Sequence, residues 1–282
     1  MNIGGDLMEI NRPLVMGILN VTPDSFYKGS RCGTDARILV KRIEKMINDG
    51  VDIIDVGGYS SRRGAADVPV EEELERLETG IKTIKAISHD IVISIDTFRA
   101  DVARKCVLEW GAHIINDISG GNLDSMMFQT VAELHVPYVL MHMRGTPGNM
   151  ASLCDYGDDG VMAGVMVELG RRADMLRSMG VCDIIIDPGF GFSKNLEQNF
   201  KMLGSMEEFH SLGLPLLVGM SRKSMICKTL GIQPEDALNG TTVLNTMALM
   251  HGAHILRVHD VREAVEAVKL VGATTGEWQW TK

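Results

Sequence analysis

The chain has 282 residues, of which 45% are hydrophobic and 23% charged, with a formal charge of −9 at pH 7. That length and apolar share suffice for a full core in one large domain and exclude a disordered chain, and no uncharged apolar run approaches the ~18 residues of a spanning helix. Nucleic-acid binding begins with neutralised phosphates, so an acidic chain with no basic tract is a poor candidate for it; a local cluster of arginine and lysine can still hold a small anion.

Residues 1–12 precede the first long apolar run. Gly4-Gly5-Asp6 predicts the turn of a small hairpin closing the bottom of the fold. The segment from Met1 to Asp6 has neither a basic cap nor an apolar signal core, and the five cysteines, Cys32, Cys106, Cys154, Cys182 and Cys227, form no C-x-x-C. Free thiols in a reducing, cytoplasmic setting are the expectation. The nineteen methionines are dispersed and read as core filler.

Eight short runs rich in Val, Ile and Leu then recur, at 14–19, 51–56, 91–95, 113–115, 137–141, 183–186, 215–218 and 254–258. None alternates with polar residues, which is the pattern of strands buried on both faces in a parallel sheet. Helical periodicity lies between them: Leu39, Val40, Ile43, Met46 and Ile47 share a face, as do Val261, Ala264, Val265 and Val268, and 71–87 and 160–179 are helical in character. Eight strand–helix repeats over this length predict an α/β fold, a (β/α)8 TIM barrel, as a single domain over 1–282 with the barrel at 14–272. A doubly wound open sheet is the rival. No G-x-G-x-x-G follows the first run, and the rhythm continues to the end of the chain.

A parallel barrel carries its chemistry at the carboxyl ends of its strands. There the chain places Asn20, Gly57–Gly64 with Arg62, Asp96, Asn116 with Asp117, His142 with Arg144, Asp187, Ser221-Arg222-Lys223-Ser224, and Arg257 with His259. Polar loop ends are ordinary, and Asp or Ser there often only caps the next helix. The combination is less ordinary. Asp96, Asn116 and Asp187 offer acceptors to a flat heterocycle bearing N–H donors, while Lys223, Arg257, His259 and Arg62 offer donors to a phosphate-like anion.

Seven blocks carry a resemblance. Met16-Gly17-Ile18-Leu19-Asn20-Val21-Thr22-Pro23-Asp24-Ser25-Phe26, Ser94-Ile95-Asp96-Thr97, Ile115-Asn116-Asp117-Ile118-Ser119-Gly120-Gly121, Met141-His142-Met143-Arg144-Gly145-Thr146-Pro147, Asp187-Pro188-Gly189-Phe190-Gly191-Phe192, Ser221-Arg222-Lys223-Ser224 and Arg257-Val258-His259-Asp260-Val261 closely resemble dihydropteroate synthase, in that family's order. The resemblance implies a (β/α)8 barrel of folate synthesis, usually a homodimer and a target of sulfonamides. It implies a transferase in which the amine of 4-aminobenzoate displaces diphosphate from 6-hydroxymethyl-7,8-dihydropterin diphosphate.

Residue by residue, the resemblance implies that Asp96, Asn116, Asp187 and Lys223 bind the pterin, and that Asn20, Arg62, Arg257 and His259 bind the diphosphate. Ser61, Arg62, Phe192, Ser224 and Phe26 would surround the aminobenzoate, with Lys223, Asp96, Arg257 and His259 closest to the chemistry. Asn20 would ligate Mg2+ through its amide oxygen. Loops 22–33 and 57–66 match segments that close over substrate. The chain departs from the commoner pattern at Lys28, Tyr59, Ser61 and Arg63. Arg63 adds charge where proline is common, which predicts weaker sulfonamide binding. Two alternatives remain: a pterin-binding methyltransferase acting on a corrinoid, which has no need of the anion set, and a non-catalytic pterin-binding paralogue. Trp278 and Trp280 are read as packing or tail.

Overall fold

A computed structural model describes residues 1–22, 36–59, 68–276 and 278. Two short strands, β1 (Asn2–Ile3) and β2 (Asp6–Leu7), pair antiparallel about Gly4 and Gly5, both at positive φ. Eight parallel strands follow in one sheet: β3 (Leu14–Asn20), β4 (Ile53–Gly57), β5 (Val92–Asp96), β6 (Ile114–Asp117), β7 (Tyr138–Met141), β8 (Ile184–Asp187), β9 (Leu217–Val218) and β10 (Ile255–Val258). Their order, β8-β7-β6-β5-β4-β3-β10-β9, leaves β8 and β9 at the two edges. Those edges meet through a parallel bridge between Ile186 and Leu216, with the Ile186 N–H donating to the Pro215 carbonyl at 2.9 Å. The sheet therefore closes into a (β/α)8 barrel. Each of the eight runs read from the sequence overlaps a strand, and five of the strands end one or two residues later than the run, on a polar residue or glycine. The run at 215–218 shortens to β9 because Pro215 has no N–H to give the ladder.

The described helices are α1 (Ala36–Asn48), α2 (Val70–Ile87), α3 (Ala100–Leu108), α4 (Met127–Leu134), α5 (Gly160–Ser178), α6 (Leu196–Gly204), α7 (Ser224–Leu230), α8 (Leu238–Met250) and α9 (Val261–Thr275). They cover the outer face of the sheet. Val15, Ile54, Ile93, Ile115, Leu140, Ile186, Val218 and Leu256 point outward into one core with Leu39, Leu77, Val102, Val165 and Val268. The alternate residues Leu14, Met16, Ile53, Ile114, Val139, Ile185, Leu217 and Ile255 fill the lower lumen, and Met1, Ile3, Met8 and Ile10 pack beneath them. This two-sided burial is why the strands read as unbroken apolar runs. The lower lumen is a solid plug, so polar chemistry is confined to the upper tier. No helix among the described residues is long and apolar enough to cross a membrane.

Candidate active site

Strand register builds the upper tier. Asn20, Gly57, Asp96 and Asn116 are aligned on four consecutive strands, and aligned residues of a parallel sheet project to the same face. Asp55 lies two residues before Gly57 and shares that face, one layer lower. On the far side, Asp187 is aligned with Met141. Arg257 projects inward from β10, two residues after the lumen residue Ile255. The gap between Asn20 and Asp96 depends on Gly57: a Cβ there would lie 3.1 Å from Asn20 Oδ1 and 3.7 Å from Asp96 Cβ.

Three of these side chains, Arg257, Asp55 and Asp96, form one ionic unit, to which Asn116 is hydrogen-bonded. Arg257 Nε donates to Asp55 Oδ2 at 2.7 Å, its Nη2 donates to Asp96 Oδ2 at 2.5 Å, and Asn116 Nδ2 donates to Asp55 Oδ2 at 3.0 Å. Asp55 is 0% exposed, and the Arg257 side chain is 20% exposed. Burial pulls the guanidinium down, but the two carboxylates more than offset it and hold it fully charged. Burial raises Asp96 to about 7 against the pull of Arg257, with the neighbouring Asp55 charge adding to the rise. Arg257 would therefore meet an anion with its Nε and Nη2 groups already held by carboxylates. Asp55 was missed in the sequence. Its signal was a charged residue inside an otherwise apolar run, Ile53-Ile54-Asp55-Val56.

Asp187 and Lys223 form the opposite wall. Asp187 is 5% exposed, and its Oδ1 accepts the Gly189 N–H at 2.7 Å. Burial raises its carboxyl and Lys223 opposes the rise. Lys223 Nζ donates to the Phe190 carbonyl and sits 4.7 Å from the centre of the Phe192 ring. Burial lowers this ammonium to about 8, with the charge of Asp187 resisting. A Cβ built on Gly219 would lie 3.7 Å from Arg257 Cβ and 4.0 Å from Lys223 Nζ, which places this glycine between the two cations.

The segment before Lys223 is fixed by Arg222, a non-glycine residue at φ 54°. Its guanidinium clamps Asp260 at 2.8 and 3.0 Å and donates to the carbonyls of Pro234 and Glu235, which holds an otherwise unfavourable backbone. Ser221 Oγ accepts the His259 N–H at 3.2 Å and lies 2.9 Å from His259 Nδ1. A hydroxyl donated to Nδ1 places the ring proton on Nε2. Burial, then Arg257 and further cations, push His259 down to about 3, so it is a neutral donor.

The turn after β8 tolerates no side chain at its first glycine. Gly189 has φ +69°, and a Cβ there would lie 2.1 Å from the His142 carbonyl oxygen, a backbone atom that cannot yield. Gly189→Ala is therefore expected to cost about 1–3 kcal/mol in urea unfolding and to lower turnover with it, because the Asp187–Gly189 bond goes with the turn.

The structure thus brings together Asn20, Asp96, Asn116, Asp187, Phe192, Lys223, Arg257 and His259. Ser224 opens α7, where the side chain is exposed, next to Lys223. Phe26, Ser61, Arg62, Arg63, Lys28 and Trp280 lie outside the described residues, as does most of the two loops. Tyr59 is described: its ring packs edge-on against Phe98 at 5.0 Å, with the Arg99 guanidinium 5.2 Å from its centre. Trp278 is packing, its indole N–H donating to the Val268 carbonyl. Two polar strand ends do not enter the mouth. Asp117 accepts from Tyr138 Oη at 2.7 Å, and Arg144 binds Glu168 on α5.

A family profile described as pterin binding enzyme matches residues 16–259. The chain is 45% identical to the dihydropteroate synthase of Escherichia coli K12, over 96% of this chain and 94% of that one. Among solved structures, a Yersinia pestis dihydropteroate synthase with a sulfonamide drug complex superposes with a TM-score of 0.91 at 37% identity, covering 98% of this chain and 99% of that one. A Xanthomonas albilineans dihydropteroate synthase with 4-aminobenzoic acid gives 0.86 at 36%, covering 97% of each.

Proposed function

The chain belongs to the pterin-binding enzymes, as a dihydropteroate synthase, and from that premise we propose how its upper tier divides the work of condensing 6-hydroxymethyl-7,8-dihydropterin diphosphate with 4-aminobenzoate. The observation that carries the division is that each wall of the upper tier pairs acceptor with cation: Asp96 and Asn116 with Arg257 on one side, Asp187 with Lys223 on the other.

Asp187 accepts from the amino-pyrimidine edge of the pterin, and Asn116 and Asp96 hold the rest of the ring. A carboxylate already out of water loses little further solvation when it takes these donors, so the ring is gripped firmly. Arg257 with His259, and Arg62 from the second loop, face the diphosphate. Arg257 is held rigid by Asp55 and Asp96, so it meets the departing charge without reorganising. His259 contributes a neutral N–H from Nε2. Lys223 stands between the ring and the leaving group, able to hold its proton while negative charge accumulates on the diphosphate. The amine of 4-aminobenzoate is neutral at pH 7, so the site needs no strong base. It needs only to place the nitrogen in line with the methylene carbon. Phe192 forms a wall for the benzene ring together with Phe26, and Ser61, Arg62 and Ser224 surround the carboxylate.

Asn20 fits a hard cation held mainly by substrate: its Oδ1 faces the glycine gap at Gly57, and one amide oxygen suits Mg2+, which keeps most of its waters. When bound, Mg2+ supplies charge neutralisation on the diphosphate. A homodimer is also part of this reading. Val243, Met247 and Met250 of α8 and Leu270 of α9 are exposed apolar residues beside a cavity of about 370 Å³, a face suited to a second copy. The four described cysteines are free, in keeping with a cytoplasmic enzyme.

Diphosphate release tests the reading. It should require 4-aminobenzoate and Mg2+ together, whereas a pterin-binding paralogue would bind pterin and release nothing. The state of Asp96 adds a pH signature. Ionised Asp96 accepts ring N–H groups, and its carboxyl sits at about 7. kcat/KM for the pterin diphosphate should therefore fall as pH drops through about 7, and Asp96→Asn should flatten that limb while lowering the plateau.

A further inference from the structure

Behind the Asp187–Phe192 turn, on the side away from the mouth, lies a buried lysine that the reaction does not use directly. Lys194 is 7% exposed. Its ammonium has three N–H bonds and three acceptors: the Phe192 carbonyl at 2.9 Å, the Gly189 carbonyl at 3.1 Å and His142 Nδ1 at 3.0 Å. Since Nδ1 accepts, the His142 proton sits on Nε2, which lies 3.1 Å from Glu168 Oε2 but off the line of an ideal hydrogen bond. Glu168 is held in turn by Arg144, whose Nε and Nη2 donate to Oε1 at 2.8 and 2.6 Å. The Arg144 guanidinium packs on the Tyr156 ring at 3.9 Å, and Tyr156 Oη donates to the Ser193 carbonyl. On the C-terminal side a capping box between Asn195 and Gln198 starts α6, and Asn199 Oδ1 accepts the Gly191 N–H at 2.6 Å.

We infer that Lys194 is a positioning residue for the aminobenzoate half of the site, tying the Phe192 wall and the Phe190 carbonyl that Lys223 grips to α5 through His142 and Glu168. This rests on the reading of Phe192 as that wall. A lysine suits the task because the carbonyls of Gly189 and Phe192 are three residues apart and turned to one point, where a single ammonium donates to both and to His142 as well. Phe192 and Lys223 touch substrate; Lys194 acts through them.

The charge on Lys194 is held in balance. Burial lowers it to about 7; Asp187 on β8 and Glu168 on α5 oppose the fall, while Lys223 and Arg144 add to it. His142, lowered to about 4 by burial, stays neutral, and Glu168, lowered to about 2 by its contact with His142 and by Arg144, stays ionised. Above the Lys194 value the ammonium loses a donor and its charge, and the turn loses a tie. KM for 4-aminobenzoate should rise on the alkaline side, where neither its carboxylate nor its amine titrates.

Lys194→Met tests the tie. It should raise KM for 4-aminobenzoate about 10-fold with kcat within about 3-fold, and abolish the alkaline rise in KM. Because that variant removes a buried cation and can fail to fold, Glu168→Gln is the second arm. Glu168 touches no substrate and its charge bears on Lys194, whereas the groups bearing on Lys223 are Asp187 and Arg257. Glu168→Gln should shift the KM limb down by about 0.5–1 pH unit. A limb that stays in place in Glu168→Gln assigns it to Lys223 and overturns the inference, as does an unchanged KM in folded Lys194→Met. A wild-type chain that releases no diphosphate sinks the synthase reading itself, an outcome distinct from either.

Discussion

Arg257→Met should lose about three orders of magnitude in kcat/KM and about 3–5 kcal/mol of stability in the same protein. Both losses have one source. Arg257 neutralises Asp55 and Asp96 in the upper tier, and Asp55 has no solvent to fall back on. Methionine keeps the volume and removes the charge, so a buried carboxylate is left with Asn116 Nδ2 as its remaining donor. A second substitution separates stability from catalysis. Asp55→Asn in the Arg257→Met background removes the stranded charge and should restore most of the unfolding midpoint in urea, yet leave turnover as low as in the single variant. The two sites touch, so their stability effects should be strongly non-additive. Additive stability losses, or turnover recovered by the double variant, would contradict the trio as a unit.

Asp187→Asn should show the opposite separation: near-normal stability with a loss of about 10²–10⁴ in kcat/KM. The amide oxygen of asparagine can still accept the Gly189 N–H, so the turn survives. What is lost is a charged acceptor for the amino-pyrimidine edge, where each hydrogen bond to a charged group carries about 1.5–3 kcal/mol. The substitution has a second consequence. Asp187 is the main influence resisting the burial-driven fall of Lys223. Without it the lysine should lose its proton at lower pH, and the alkaline limb of kcat should move toward neutrality. Steady-state kinetics over pH, beside urea unfolding, checks both parts.

The barrel was legible because its physics is repetitive. Strands buried on both faces leave eight unbroken apolar runs, and polar residues after them mark the mouth. That logic reached Asp96, Asn116, Asp187 and Arg257 with no contacts known. It passed over Asp55 because a single carboxylate inside an apolar run disturbs the pattern too little to stand out; its meaning lies in Arg257, 202 residues away in sequence. Lys194 was hidden for a different reason. It follows the Asp187–Phe192 block like any loop lysine, and only the turn geometry brings two carbonyls and His142 onto its ammonium. The same limit holds at Arg257: sequence shows which groups can bind an anion, but not that two nitrogens of this one are also engaged by carboxylates. His142 and Arg144 likewise sit at a strand end yet serve α5.

The most direct measurement is a crystal structure with a non-hydrolysable pterin diphosphate analogue and 4-aminobenzoate bound together. The ring edge should lie within about 3 Å of the Asp187 carboxylate, and a diphosphate oxygen within about 3 Å of an Arg257 nitrogen or His259 Nε2. A ring seated away from Asp187, or a diphosphate that meets neither Arg257 nor His259, would contradict the division of the upper tier into ring-binding acceptors and anion-binding donors.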